Sequence, residues 1–254
     1  MTHDVRVTND EVPLVLVHGF LSSSEYWCSV DEQLASRRRL IAIDLPGFGK
    51  RSHEPSIHSI TEFAHWVISE LDSMGVERFR LLGHSMGGMI VQEMAHLIPE
   101  RIAALVLYGT GPEGELPGRF EPIHESRRKI SDNGTDGTVS FIVSNWYVQG
   151  SKDVWYETSL AIARKARTVT VLGGLAAMEE WRGVGYLETH EMPTLVIWGD
   201  KDRAYPISQE LALFQGIPEA QLAVIPGAGH NAHHEKPGLF CALLEDFMVN
   251  CSRC

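Results

Sequence analysis

Apolar residues fall into short runs that end at glycine or proline. Leu14 to Val17 runs into His18-Gly19, and Leu40 to Ile43 runs into Asp44-Leu45-Pro46-Gly47. Phe79 to Leu82 stops at Gly83, Ala104 to Tyr108 at Gly109, Thr194 to Trp198 at Gly199, and Leu222 to Ile225 at Pro226-Gly227. Runs that are apolar on both faces and bounded this way predict buried parallel strands. Between them the apolar period changes to that of a helix. Ile60, Phe63, Ala64, Val67, Ile68, Leu71 and Met74 share one helical face. Ser59 and Glu62 form a capping-box pair at its start, and Gly75 marks its end. Strand and helix in alternation predict an α/β fold with a doubly wound, mostly parallel sheet, whose active site lies on loops at the carboxyl ends of the strands.

The alternation stops between Gly111-Pro112 and Met192-Pro193. Phe120 to Ile130, Thr138 to Tyr147, Val154 to Ala166 and Gly174 to Trp181 carry helical patterns, while Val169 to Leu172 is ambiguous between strand and helix. This predicts a core formed by 1–111 and 191–254, and a helical lid, or cap, inserted at 112–190.

Composition narrows the function classes. The chain has 254 residues, 44% of them apolar, enough for one domain with an insertion. Its formal net charge of -11 disfavours nucleic acid and anionic membrane surfaces as partners. No apolar run approaches the roughly 20 residues needed to span a bilayer, and Met1 to Asp4 lack a signal-peptide pattern. A cytoplasmic protein, monomer or homodimer, acting on a small molecule is expected. Cys28, Cys241, Cys251 and Cys254 form no disulfide framework, and the C-x-x-C pair at the C-terminus has no second pair to complete a zinc site.

Three loops carry candidate chemistry. Gly83-His84-Ser85-Met86-Gly87 fits G-x-S-x-G between a predicted strand and a predicted helix. Such a turn holds a serine in strained backbone and aims a helix N-terminus at developing negative charge, so Ser85 is the expected nucleophile. His18-Gly19-Phe20 follows the first strand, and the backbone N–H groups of Phe20 and Met86 are the expected oxyanion donors. Gly227-Ala228-Gly229-His230 follows the last strand, which makes His230 the expected base. His233 and His234 lie close by, but without an H-E-x-x-H helix they predict surface or pocket-wall residues rather than a metal site, and Glu235 is expected to fix the loop. Gly199-Asp200-Lys201-Asp202 offers two carboxylates. Asp202, deeper in the loop, is the expected acid, with Asp200 bonding the turn. No metal, nucleotide or redox cofactor is expected: Gly47-Phe48-Gly49 lacks the third glycine of a dinucleotide fingerprint.

His18-Gly19-Phe20, Asp44 to Gly49, Gly83 to Gly88, Pro99-Glu100-Arg101, Trp198 to Asp202 and Gly229-His230 together resemble the α/β-hydrolase superfamily over nearly the whole chain. The resemblance is to its small lidded serine hydrolases: esterases, enol-lactonases and carbon–carbon bond hydrolases. It implies ester, lactone or activated C–C bond cleavage by Ser85, His230 and Asp202. It also implies a first hairpin shortened here to Met1–Val12, with Val5 to Val7 as one short strand. Phe20, Trp146, Tyr147, Trp155 and Trp181 are expected to line an apolar pocket. Gly229 to Glu235 and Asn145-Trp146-Tyr147 also resemble the menaquinone-pathway synthase, a pyruvate-eliminating lyase. That resemblance requires an arginine after the nucleophile's glycine pair, where this chain has Met89, so Arg127, Arg128, Arg164 or Arg167 would have to replace it. A slow ligand receptor on the same fold is the remaining alternative.

Overall fold

One sheet organises the chain. In the computed structural model, which describes residues 12–114 and 117–251, its strands are β1 (Leu14–Val17), β2 (Leu40–Ile43), β3 (Phe79–His84), β4 (Ile102–Tyr108), β5 (Thr194–Gly199) and β6 (Gln221–Ile225). Their order is β2-β1-β3-β4-β5-β6, and every neighbouring pair is parallel. The expected strand at Val5 to Val7 lies outside the described residues, as does Cys254.

Successive side chains of a strand point to opposite faces, and the two faces have separate cores. Val15, Val17, Leu81, Leu105, Leu107 and Val196 join one core, with α2 (Ile60–Ser73) and α3 (Met86–Leu97) packed on it. Leu14, Leu16, Leu82, Val106 and Ile197 join the other, under α1 (Cys28–Leu34) and α10 (Pro237–Cys251). The Ser59 hydroxyl caps α2 by accepting from the Glu62 amide. α8 (Ile207–Gly216) and the single-turn α9 (Ala232–Glu235) follow β5 and β6.

Between β4 and β5 the chain leaves the sheet through a narrow neck. Glu113 and Arg182 form an antiparallel bridge, with Gly183 N–H donating to Pro112 O at 2.7 Å and Gly114 N–H to Trp181 O at 3.0 Å. Beyond the neck lie α4 (Ile123–Asn133), α5 (Thr135–Ser144), α6 (Tyr156–Ala163) and α7 (Thr168–Glu180). The ambiguous run Val169 to Leu172 is helical, with Val171 and Leu175 buried in the core that contains Phe20 and Phe48. Tertiary burial overrides the strand preference of its β-branched residues. α4 starts at Ile123 rather than Phe120, because Pro122 disfavours helical backbone in the residue before it. Among the described residues no helix is long and apolar enough to cross a membrane.

Candidate active site

The nucleophile turn is tight by construction. Ser85, between β3 and α3, has φ 57° and ψ −121°, backbone that a non-glycine residue adopts at a cost on the order of 1–3 kcal/mol. Two bonds hold it there: Ser85 N–H donates to Tyr108 O at 3.0 Å, and the Thr110 hydroxyl donates to Ser85 O at 2.8 Å. Gly87 must lack a side chain, since a Cβ there would lie 2.3 Å from Val17 O and 2.6 Å from His18 O. The same closeness brings the loop after β1 onto the turn: a Cβ at Gly19 would stand 2.9 Å from Ser85 Cβ. Phe20 is therefore beside the serine, and Met86, as the first residue of α3, has an N–H with no acceptor inside its helix.

Asp202 sits past β5 and His230 past β6. The Nδ1–H of His230 donates to Asp202 Oδ2 at 2.8 Å, and both side chains are almost wholly buried. The other carboxylate oxygen, Oδ1, accepts from the Ala204 and Tyr205 amides at 2.6 and 3.1 Å. Asp200 turns away: its Oδ1 accepts from Gly227 N–H and its Oδ2 pairs with exposed Lys201. The carbonyl of His230 accepts from His84 Nε2 and from the Tyr108 hydroxyl, at 3.0 and 2.9 Å. Ser85, His84 and His230 line one narrow cavity of about 160 Å³, solvent at its mouth included, together with Phe20, Tyr26 and Trp146.

The remaining residues singled out in the sequence are dispersed. Tyr147 is buried behind the cavity, where its hydroxyl contacts Ser159 and His234 Nδ1. Burial raises its pKa to about 12. Trp155 stacks on His234 at 4.4 Å and lines a separate surface cleft. Trp181 stands at the neck and donates from Nε1 to Glu93 at 3.0 Å. His233 and His234 are buried, not at the surface: His233 Nδ1 meets the Tyr108 hydroxyl, and His234 Nε2 meets Tyr26 O. Burial depresses both pKa values, that of His234 to about 4. Glu235 does fix the loop, accepting Gly229 N–H at 2.6 Å and Val148 N–H at 2.8 Å.

The four arginines expected to replace one at position 89 are tied elsewhere. Arg127 pairs with Glu179, Arg128 with Glu125 and Asp132, and Arg164 with Asp136, while Arg167 donates to Glu54 O. Met89 is buried in the apolar core.

Sequence reasoning passed over Tyr205. Its ring stacks parallel to that of His230, centroids 5.6 Å apart and planes 11° apart. Its buried hydroxyl completes no hydrogen bond of good geometry, and burial, chiefly, raises its pKa. A tyrosine three residues past the acid belongs to no motif, so only the folded loop reveals it.

A family model described as the alpha/beta hydrolase fold matches residues 12–237. A 2-hydroxy-6-oxononadienedioate/2-hydroxy-6-oxononatrienedioate hydrolase of Paraburkholderia phymatum is 30% identical, covering 92% of this chain and 86% of its own. A Bacillus subtilis protein named for 2-succinyl-6-hydroxy-2,4-cyclohexadiene-1-carboxylate synthase activity is 29% identical, covering 95% of this chain and 92% of its own. Among solved structures, a hydrolase from Pseudomonas aeruginosa superposes with a TM-score of 0.83 at 25% identity, covering 94% of this chain and 91% of the other.

Proposed function

This chain belongs to the alpha/beta hydrolase fold family and is an enzyme of that fold, and from that premise we propose that it is a serine hydrolase of small-molecule esters, lactones or activated C–C bonds. The observation that carries the reading is the 2.8 Å bond from His230 Nδ1–H to the buried Asp202 carboxylate, beside a serine held at φ 57°. With Nδ1 engaged, Nε2 is the free base. It takes the Ser85 proton as Oγ attacks the carbonyl carbon. The Phe20 and Met86 amides, with the positive end of α3 behind them, receive the oxyanion. Asp202 holds the imidazole tautomer and stabilises its cation. His230 then returns the proton to the leaving group, and water enters through the same base. The helices beyond the neck form a lid. Phe20 and Trp146 line the narrow cavity in which Ser85 and His230 meet the substrate.

Fluorophosphonate labelling with mass-spectrometric site mapping, followed by 4-nitrophenyl ester turnover, tests this. The label maps to Ser85, and Ser85→Ala loses both label and turnover. Labelling elsewhere, or full turnover by Ser85→Ala, refutes it. Likeness to the Bacillus subtilis protein supports a second reading, a pyruvate-eliminating lyase. In that case pyruvate release from a cyclohexene carboxylate exceeds ester turnover in the same preparation.

A further inference from the structure

We propose that His84, Ser22 and Asn231 form a hydroxyl-recognition subsite on the wall of the Ser85 cavity, so that the preferred substrates carry a hydroxyl close to the scissile carbonyl. This rests on the serine-hydrolase reading and names its substrate class.

His84, Ser22 and Asn231 all line the cavity that contains Ser85 and His230. Each is at most 3% exposed, and each keeps one polar atom without a hydrogen-bond partner among the described residues: His84 Nδ1, Ser22 Oγ and Asn231 Oδ1. A buried polar atom left unpaired forfeits its hydration, and native proteins keep few of them. Here three belong to the wall of one small cavity, beside the nucleophile.

The unpaired atoms have a defined character. His84 Nε2 faces His230 O at 3.0 Å, and a carbonyl only accepts, so Nε2 carries the proton. Burial holds the ring neutral, which leaves a lone pair on Nδ1. Asn231 is oriented by a chain of hydroxyls. His234 Nε2–H donates to Tyr26 O at 2.9 Å, so its Nδ1 accepts from the Tyr147 hydroxyl at 3.0 Å. The Tyr147 oxygen accepts from the Tyr26 hydroxyl at 3.4 Å, and the Tyr26 hydroxyl oxygen accepts from Asn231 Nδ2–H at 2.8 Å. With Nδ2 turned to Tyr26, Asn231 Oδ1 is an acceptor. Two acceptors and one hydroxyl, that of Ser22, suit a substrate hydroxyl, which both donates and accepts. A carboxylate or ketone offers acceptors alone and leaves both lone pairs unpaired.

The subsite is close to the reacting centre. The His84 and His230 rings are 4.5 Å apart. A Cβ added at Gly19 would stand 3.4 Å from His84 Nδ1 and 2.9 Å from Ser85 Cβ, so the lone pair and the serine flank the same glycine. Asn231 follows the base directly in the chain. A site built to bond a substrate hydroxyl rejects the analogue lacking it, because its own polar groups are then left unpaired.

Methyl 2-hydroxybutyrate and methyl 3-hydroxybutyrate, each compared in a pH-stat with methyl butyrate and with acceptor-only methyl 3-oxobutyrate, read the preference as a ratio of kcat/KM. The full-length enzyme favours the better hydroxy ester over both controls by at least about tenfold, the scale of one buried hydrogen bond. Asn231→Leu and Ser22→Ala each lower that ratio by at least about threefold. Ser22→Ala breaks no hydrogen bond within the described residues, so it keeps the thermal midpoint of the wild type or raises it while selectivity falls. In parallel, 3-hydroxybutyramide raises the wild-type thermal midpoint more than butyramide does, and the difference vanishes in both variants. A wild-type ratio below tenfold, a ratio unchanged in every folded variant, or equal shifts by the two amides in the wild type overturns the proposal. If the wild type turns over none of the esters, the hydrolase reading fails, and the amide shifts still decide whether the subsite holds a hydroxyl.

Discussion

At Asp202 the two carboxylate oxygens are differently committed, and that decides what an amide would do there. Oδ1 receives two backbone N–H groups and Oδ2 receives the His230 Nδ1–H. In Asp202→Asn the carbonyl oxygen stays with the two amides, so the NH₂ faces His230. It donates to Nδ1, moves the imidazole proton to Nε2 and removes the base. A fall in kcat of about 10⁴-fold at neutral pH is expected, as for the loss of the correct tautomer in such triads. Steady-state ester kinetics check this, and a loss below tenfold would mean that His230 is not oriented by this residue. That His230 meets Asp202, and shares a cavity with Ser85, was legible because each of the three follows a strand with a glycine at fixed spacing, and spacing survives in sequence. Tyr205 was not: only the folded acid loop lays its ring parallel to that of His230. Aromatic residues were misleading for a related reason. Trp155 and Trp181 announce burial, but which wall they face is set by partners, His234 and Glu93.

The strands and the helical excursion could be read from periodicity, but the joint between excursion and core could not, since it is made by backbone groups. The segment Asn145 to Val148, just after α5, straps the loops of Asp202 and His230. Arg203 of the acid loop donates to Tyr147 O at 2.6 Å. Asn231 N–H of the base loop donates to Trp146 O at 3.2 Å. Glu235 then bridges Val148 N–H and Gly229 N–H with its two oxygens. The strap holds His230 and Asp202 against each other from outside the sheet. Replacing Glu235 by alanine leaves two loop amides without their acceptor. A loss of about 2 kcal/mol in unfolding free energy follows, the scale of hydrogen bonds to a charged group. A fall in kcat of about tenfold accompanies it, because Gly229 is next to the base. Urea unfolding and ester kinetics on the same variant check the two together. Lost stability with kcat intact would make the strap a staple without influence on the triad.

Across the whole molecule the histidines set the response to acid. Of the 12 histidines, six are buried among the described residues, and in five of these, His18, His84, His190, His233 and His234, burial depresses the pKa, to about 4 for His18, His190 and His234. In the unfolded chain the same rings titrate near about 6.5. Between those limits the unfolded state binds more protons, so the stability that these neutral rings contribute is complete above pH 6.5 and is lost as pH falls toward 4. Glu210 and Glu235 act in the opposite sense. Burial raises their pKa values, so the folded state keeps protons that the unfolded state releases above about 4.5. Five rings outnumber two carboxyls, so near pH 5.5 unfolding takes up protons on balance and stability falls as pH falls. Urea midpoints taken from pH 7 to 4.5 give this slope directly. A flat profile would mean that the buried rings are already protonated in the fold. Protonated His84 would then bury an Nδ1–H without an acceptor among the described residues, beside the His230 ring at 4.5 Å.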